Sequence, residues 1–241
     1  LTLPEGKGPF PAVILITGSG TQNRDEEIFG FKIFGVIADH LTRRGIAVLR
    51  CDDRGLASPP TARDATSRDF ALDAAAQARY LLTRDEIARD RIGLLGHSEG
   101  AIIAPLAHLS RPCDFMVLMS GTAVNGREVL LEQIARIARA DGEGEAEIAA
   151  SVASQKRAYE LLDQADGEQE IARMIAEQMR GSLARMTPEQ RQAVADPEAY
   201  VKSATAAQMA ALRSPWFRHF LDYDPAPALD KVKCPVLALF G

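Results

Sequence analysis

Leu94-Leu95-Gly96-His97-Ser98-Glu99-Gly100-Ala101 reads as an apolar strand, then Gly-x-Ser-x-Gly, then the start of an apolar helix. A strand that turns straight into a helix leaves the residue at the turn, Ser98, at the top of a sheet with its hydroxyl exposed. The turn strains the serine backbone, and side chains at positions 96 and 100 would collide with neighbouring backbone, which gives both glycines a steric reason. The helix behind adds its N-terminal dipole and free N–H groups beneath any oxyanion. The strand Arg91–Leu95 and the apolar helix Ala101–Leu109 supply the context that a bare five-residue match lacks. Ser98 is therefore the candidate nucleophile. The bland alternative is a structural Gly-Ser turn in some other α/β fold.

The surrounding chain fits that turn. Pro11–Thr17 is a continuous β-branched and aliphatic run, the mark of a strand buried on both faces of a parallel sheet. Gly18-Ser19-Gly20 breaks it. Phe29–Arg44 has helical spacing closed by Gly45, and Ile46–Arg50 is a second buried strand, followed by the loop Asp52-Asp53-Arg54-Gly55. Pro59-Pro60 falls in irregular chain, Asp69–Leu82 is an amphipathic helix, and Phe115–Met119 is a further strand. Asp224–Val232 reads as a helix and Pro235–Phe240 as another buried strand. Alternating strands and helices predict an α/β fold with a doubly wound, mostly parallel sheet. Ligands bind such sheets at the carboxyl ends of the strands, where Gly18, Asp52, Ser98 and Ser120 converge.

After Gly121 the pattern changes. Arg127–Arg139, Glu145–Gln164 and Glu168–Met186 carry apolar residues at helical spacing, and Thr187-Pro188-Glu189-Gln190 and Asp196-Pro197 read as helix starts. The expected division is a core of residues 1–121 and 217–241, its C-terminal part missing, with an all-helical cap insertion at 122–216. A packing or dimerisation appendage is the alternative, and a homodimer would follow from it. Met174, Met179, Met186 and Met209 read as helix core or as the lining of an adaptable pocket.

Composition excludes several classes. The chain has 241 residues, 25% charged, with a net charge of -5 and both signs mixed along it, so no nucleic-acid partner is expected. No apolar run approaches the ~20 residues of a membrane span. Cys51, Cys113 and Cys234 are far apart, with no Cys-x-x-Cys, and read as small buried thiols rather than a disulfide framework. No His-Glu-x-x-His and no clustered His or Cys points to a metal, and Gly18-Ser19-Gly20 lacks the third glycine of a nucleotide loop, so no cofactor and no metal are expected. The chain opens at Leu1 without Met and closes on Phe240-Gly241 after an apolar strand. Both ends read as cut, and a cytoplasmic location is only the default expectation.

Four stretches carry a family resemblance: Phe10–Val13 through Gly18-Ser19-Gly20 with Arg24-Asp25-Glu26; Asp52-Asp53-Arg54-Gly55; Ile92–Gly100; and Tyr223-Asp224-Pro225 through Val232–Leu237. On these the chain resembles bacterial α/β-hydrolase esterases with a helical cap, a group related to serine aminopeptidase and dienelactone-hydrolase-like proteins. The resemblance implies an α/β-hydrolase fold and hydrolysis of small carboxylic esters, commonly with short acyl chains.

The chemistry follows residue by residue. Ser98 would attack the ester carbonyl. The oxyanion needs two preorganised N–H donors, each worth on the order of 3 kcal/mol of barrier. The first is the backbone N–H of Glu99. The second comes from the loop after the first strand, where the family pattern points to Ser19, with Gly20 as fallback. The Glu99 side chain is expected at the mouth, touching substrate or solvated. Arg24, Asp25 and Glu26 would order the loop by pairing with Asp52 or Asp53, or would select polar substrates. Arg54 is expected to buttress the loop, and His97 to point away from Ser98 into packing.

Hydrolases of this fold order the triad as Ser, then acid, then His. The resemblance puts the acid after the strand Pro235–Phe240 and the histidine after a further strand, so neither triad partner is expected within these residues. Of His40, His97, His108 and His219, only His219 is a candidate to reach the rim. Without its base, Ser98 would keep only the help of the oxyanion hole and of binding. The leading expectation is a serine esterase. A peptidase or acyltransferase with the same acyl-enzyme, or a non-catalytic binding protein on the fold, are the alternatives.

Overall fold

Aliphatic and β-branched residues, which fit a pleated and buried surface, build the sheet. In this computed structural model the described residues are 1–56, 65–192 and 194–240. Pro59-Pro60 lies outside them. In chain order the elements are β1 (Phe10–Ile16), β2 (Glu27–Ile28), β3 (Phe31–Lys32), α1 (Ile33–Thr42), β4 (Ala47–Arg50), α2 (Ser67–Leu82), β5 (Ile87–His97), α3 (Gly100–Ser110), β6 (Phe115–Met119), α4 (Gly126–Ala140), α5 (Glu145–Leu162), α6 (Gly167–Arg185), α7 (Pro188–Gln192), α8 (Pro197–Arg213), α9 (Pro215–Asp222), α10 (Ala226–Leu229) and β7 (Val236–Leu239).

The chain divides into two compact units. The first is Leu1–Asn125 with Tyr223–Gly241, and the second is Gly126–Asp222. In the first unit, five strands pair in the order β4-β1-β5-β6-β7, all parallel. Alternate residues of β1 serve opposite faces. Ala12, Ile14 and Ile16 join Ala71, Ala74, Ala78 and Leu81 of α2 and Ile103, Ala104 and Ala107 of α3 in one core. Val13 and Leu15 join Phe34 and Ala38 of α1 in the other. Helices thus cover both faces, which is the doubly wound arrangement.

Three expectations are corrected. The helix expected from Phe29 starts at Ile33. Phe29 (φ 52°) and Gly30 (φ 81°) are both left-handed, which helix geometry forbids; they form the two-residue turn between β2 and β3. The helix expected over Asp224–Val232 shortens to α10. The strand near Pro235 is not buried. It is the edge strand β7, with Val236, Leu237 and Leu239 all about half exposed, because it pairs on one side only and no described element covers its faces.

The second unit is helical among its described residues. Tyr159, Leu161, Ile171, Met209 and Leu221 form its core, with Met174 and Met179 packed against it. Arg127 ties its ends together, donating to the Tyr159 carbonyl at 2.9 Å, to Asp163 at 3.1 Å and to Asp222 at 2.9 Å. The helix starts read from sequence form as hydrogen bonds: Thr187 and Gln190 cap each other reciprocally, and Asp196 accepts the Ala199 N–H at 3.0 Å. No helix among the described residues is long and apolar enough to cross a membrane.

Candidate active site

Ser98 stands between the last residue of β5 and the first of α3 with φ 53°. That left-handed conformation costs a non-glycine residue about 1–3 kcal/mol and persists only where the surroundings over-determine it. They do so here. The Ser98 N–H donates to the Met119 carbonyl at 2.9 Å, continuing the β5–β6 pairing through the turn. A Cβ on Gly96 would lie 2.0 Å from the Gly100 carbonyl oxygen, and one on Gly100 would lie 2.1 Å from that of Ile16. Both contacts are with backbone, so the sharp turn exists only with glycine at both positions.

The loop after β1 lies beside this turn, because Ile16 pairs with Gly96. A Cβ on Gly18 would sit 3.2 Å from Ser98 Cβ. Two carboxylates fix the loop. Asp53 accepts from Thr17 Oγ1 at 2.9 Å and from the Gln22 N–H at 2.8 Å. Glu26, completely buried, accepts the Gly18 N–H at 2.6 Å. Ser19 and Gly20 lie between these anchors; Gly20 has φ 88°, and the Ser19 carbonyl accepts from Gln22 Nε2 at 3.2 Å. Burial pushes the Asp53 carboxyl up to about 6, against the lowering effect of its two hydrogen bonds.

The charged residues after the loop are spent on ordering it. Arg24 donates to Asp52 through its backbone N–H at 2.8 Å and through its guanidinium at 3.0 and 2.7 Å, which pulls Asp52 down to about 2. Asp25 pairs with Arg50. Arg54 joins the Asp52–Gly55 loop to α2, through Asp73 at 2.6 Å and the Asp69 carbonyl at 3.3 Å. A cavity of about 330 Å³ lies beside this loop, lined among others by Thr17, Gly18, Asp53, Arg54, Gln77 and Glu99; Ser98 is not on its wall.

Two side chains depart from expectation. His97 does not turn into apolar packing. Its Nδ1 lies 2.9 Å from Glu26 Oε1, its side chain is 21% exposed, and the hydrogen bond to Glu26 raises its pKa above the ordinary histidine value. The pairing arises because Glu26, left-handed at φ 47°, carries its carboxylate beneath the end of β5. The Glu99 side chain is not solvated, although the residue lines the cavity beside the loop. It is 3% exposed and accepts from Ser67 Oγ at 2.7 Å. Ser67 opens α2, whose N-terminal dipole favours a carboxylate there. Glu26 is expected from the sequence to help order the loop, but its partners are the Gly18 N–H and His97 rather than Asp52 or Asp53. Ser67 is the organising residue that sequence reasoning missed, and nothing local signalled it.

The first unit's histidines are committed elsewhere. His40 Nδ1 lies 3.0 Å from Arg44 Nη1, His97 faces Glu26, and the Cys113 N–H donates to His108 Nδ1 at 3.1 Å. Among the described residues of this unit no histidine hydrogen-bonds Ser98. His219 belongs to α9 of the second unit. The reading of scattered, unclustered cysteines is also corrected. Cys113 and Cys234 are 121 positions apart but meet at 3.8 Å beside His108, because parallel pairing of β6 with β7 aligns the loops that precede them.

Over residues 13–241 the sequence matches the model of a family described as the alpha/beta hydrolase family. It is 35% identical over 135 residues to Esterase EstD of Thermotoga maritima, a match covering 56% of this chain and 32% of that protein. The chain thus spans about a third of the length of that curated relative. Solved structures that the chain matches include alpha/beta hydrolase GrgF from Penicillium sp. sh18, at 21% identity and TM-score 0.44, covering 59% of this chain and 50% of that one. Another is 2,6-dihydroxy-pseudo-oxynicotine hydrolase, at 18% identity and TM-score 0.45, covering 98% of this chain and 47% of that one.

Proposed function

The chain belongs to the alpha/beta hydrolase family, and from that premise we propose that it carries the nucleophile and oxyanion half of a serine esterase. In this reading Ser98 attacks the carbonyl of a small carboxylic ester with a short acyl chain and forms an acyl-enzyme. The backbone N–H of Glu99 and that of Ser19, with Gly20 as the alternative donor, hold the oxyanion. The observation that carries the reading is the strained Ser98, held at φ 53° between two glycines that tolerate no side chain and beside a loop pinned by two carboxylates.

The base and acid that activate Ser98 are proposed to come from residues outside these 241, as the resemblance implies: His40, His97 and His108 each have other partners, and His219 is the remaining alternative for the base. The helical unit Gly126–Asp222 is proposed to act as a cap that selects the acyl group. The match to a relative named an esterase favours esters over amides.

The test uses the complete gene product that contains this sequence. Short p-nitrophenyl esters should be hydrolysed, Ser98→Ala should remove that turnover, and a fluorophosphonate should label Ser98 alone. Aminoacyl anilides should be poor substrates, and excision of residues 126–222 should broaden acyl-chain preference. Equal ester hydrolysis by the parent and Ser98→Ala would take Ser98 out of the mechanism.

A further inference from the structure

The amino ends of the strands, opposite the rim that carries Ser98, hold a second cluster of reactive side chains. Cys113 lies just before β6, Cys234 just before β7, and His108 in the last turn of α3. We propose that His108 Nδ1, Cys113 Sγ and Cys234 Sγ form a site for a thiophilic divalent cation, zinc above all, that clamps the edge strand β7 to the core.

The argument is geometric. Zinc bonds to thiolate sulfur at about 2.3 Å and to imidazole nitrogen at about 2.0–2.1 Å with tetrahedral angles, so its ligand atoms stand about 3.8 Å apart for two sulfurs and about 3.5 Å apart for sulfur and nitrogen. The two sulfurs here are 3.8 Å apart, and His108 Nδ1 lies 3.2 Å from Cys113 Sγ and 3.9 Å from Cys234 Sγ. The triangle already has the edges of one tetrahedral face. A disulfide would require the sulfurs to close to about 2.05 Å; a metal requires almost no movement of them.

The surroundings suit a largely buried site with three protein ligands and one open position. His108 is 7% exposed and Cys113 8%, while Cys234 is only partly covered, leaving one side for ion entry and for a water as fourth ligand. The Cys113 N–H donates to Nδ1, so this nitrogen carries the imidazole lone pair that a metal needs. Binding would take over that lone pair, giving up one neutral hydrogen bond, and would release two thiol protons. The Asp114 carboxylate accepts the Ile92 N–H at 2.7 Å and is not a fourth ligand. Soft sulfur with one imidazole selects zinc-like ions over magnesium or calcium. The consequence is mechanical. β7 is exposed along its length and, among the described residues, held in the sheet by β6 alone, and the cation would tie the loop before it to the loop before β6 and to α3.

The test titrates the reduced chain with Co²⁺, then with Zn²⁺. One equivalent of cobalt should give thiolate-to-metal charge-transfer absorption and the visible bands of tetrahedral cobalt, and zinc should abolish both. Zinc should raise the melting temperature and protect Cys113 and Cys234, but not Cys51, from alkylation. Cys113→Ser and Cys234→Ser each remove a ligand and should weaken binding by more than the roughly 10–100-fold that losing a ligand's hydrogen-bond partner costs, and Cys51→Ser should leave it unchanged. The alkylation pattern is read on the unmutated chain, so a variant that misfolds does not spoil the test. Absence of the charge-transfer band at stoichiometric cobalt, or alkylation of both cysteines unchanged by excess zinc, would overturn the proposal. Esterase activity plays no part in these readouts, so failure here and failure of the proposed catalysis are separate results.

Discussion

Glu26→Gln tests whether one buried carboxylate organises the surroundings of Ser98. Glu26 Oε1 accepts the Gly18 N–H at 2.6 Å and meets His97 Nδ1 at 2.9 Å, while Oε2 is buried with no hydrogen-bond partner among the described residues. Glutamine can keep an oxygen in the Oε1 place but puts its NH₂ where Oε2 sits. Two bonds then lose charge assistance, about 1 kcal/mol each, and the buried amide donors go unpaired, which costs about 1–3 kcal/mol. Relief of burying a charge offsets part of this. The expected net loss is about 2 kcal/mol, a fall of roughly 4–8 °C in the melting of a domain of this size. The pH dependence has a definite sign. The Glu26 bond raises the His97 pKa, so its contribution is fully present below the unfolded histidine value of about 6.5 and is lost as pH rises through the folded value. The gap between parent and Glu26→Gln should therefore be wider near about pH 6 than near about pH 9. Thermal melts across pH measure the gap, and histidine NMR titration should show His97 falling back towards its ordinary value in the variant. Identical His97 titrations together with equal melting midpoints would refute the idea that this pair orders the site.

Other substitutions probe the same architecture. Gly96→Ala should prevent folding of the turn altogether, since its Cβ would lie 2.0 Å from a backbone oxygen; a soluble variant with the parent's melting curve would show that the turn can relax. Ser67→Ala removes the buried donor to Glu99 at 2.7 Å and should cost about 1.5–3 kcal/mol in chemical denaturation. Asp53 holds its proton more tightly folded than unfolded, at about 6 against an ordinary carboxyl, so its effect on stability weakens as pH rises from about 4 to about 6. Allowing for solvent screening of a half-buried group, that arm is worth about 1–2 kcal/mol, and Asp53→Asn should flatten it. Urea midpoints of the two proteins across this range should differ in slope; equal slopes would remove Asp53 as the cause.

What was legible in the sequence is what short-range sterics decide. Gly96 and Gly100 are four positions apart, and the collision each avoids involves backbone brought close by the turn itself or by the strand beside it. A motif of five residues could therefore announce the sharp turn at Ser98, and aliphatic runs could announce the strands, though not that β7 would be exposed. The hairpin at Phe29-Gly30 escaped because its flanking phenylalanines fall at helical spacing, and only the left-handed pair in the middle breaks the helix. The side chains that hold the site could not be read in this way. Glu99 meets Ser67 across 32 positions, Glu26 meets His97 across 71, and Cys113 meets Cys234 across 121. Each pairing follows from which strand lies beside which, and a parallel sheet brings together loops that sequence keeps far apart. Composition misled for the same reason. A charge in a rim loop is ordinarily solvated, yet Glu26 and Glu99 are buried because the parallel sheet delivers a backbone N–H, an imidazole and a serine hydroxyl to meet them. In this fold a rim carboxylate can therefore be mistaken for a substrate contact when its work is to hold the backbone that makes one. Substituting it would then disturb the geometry around Ser98 without removing any group that the proposed mechanism brings to the ester.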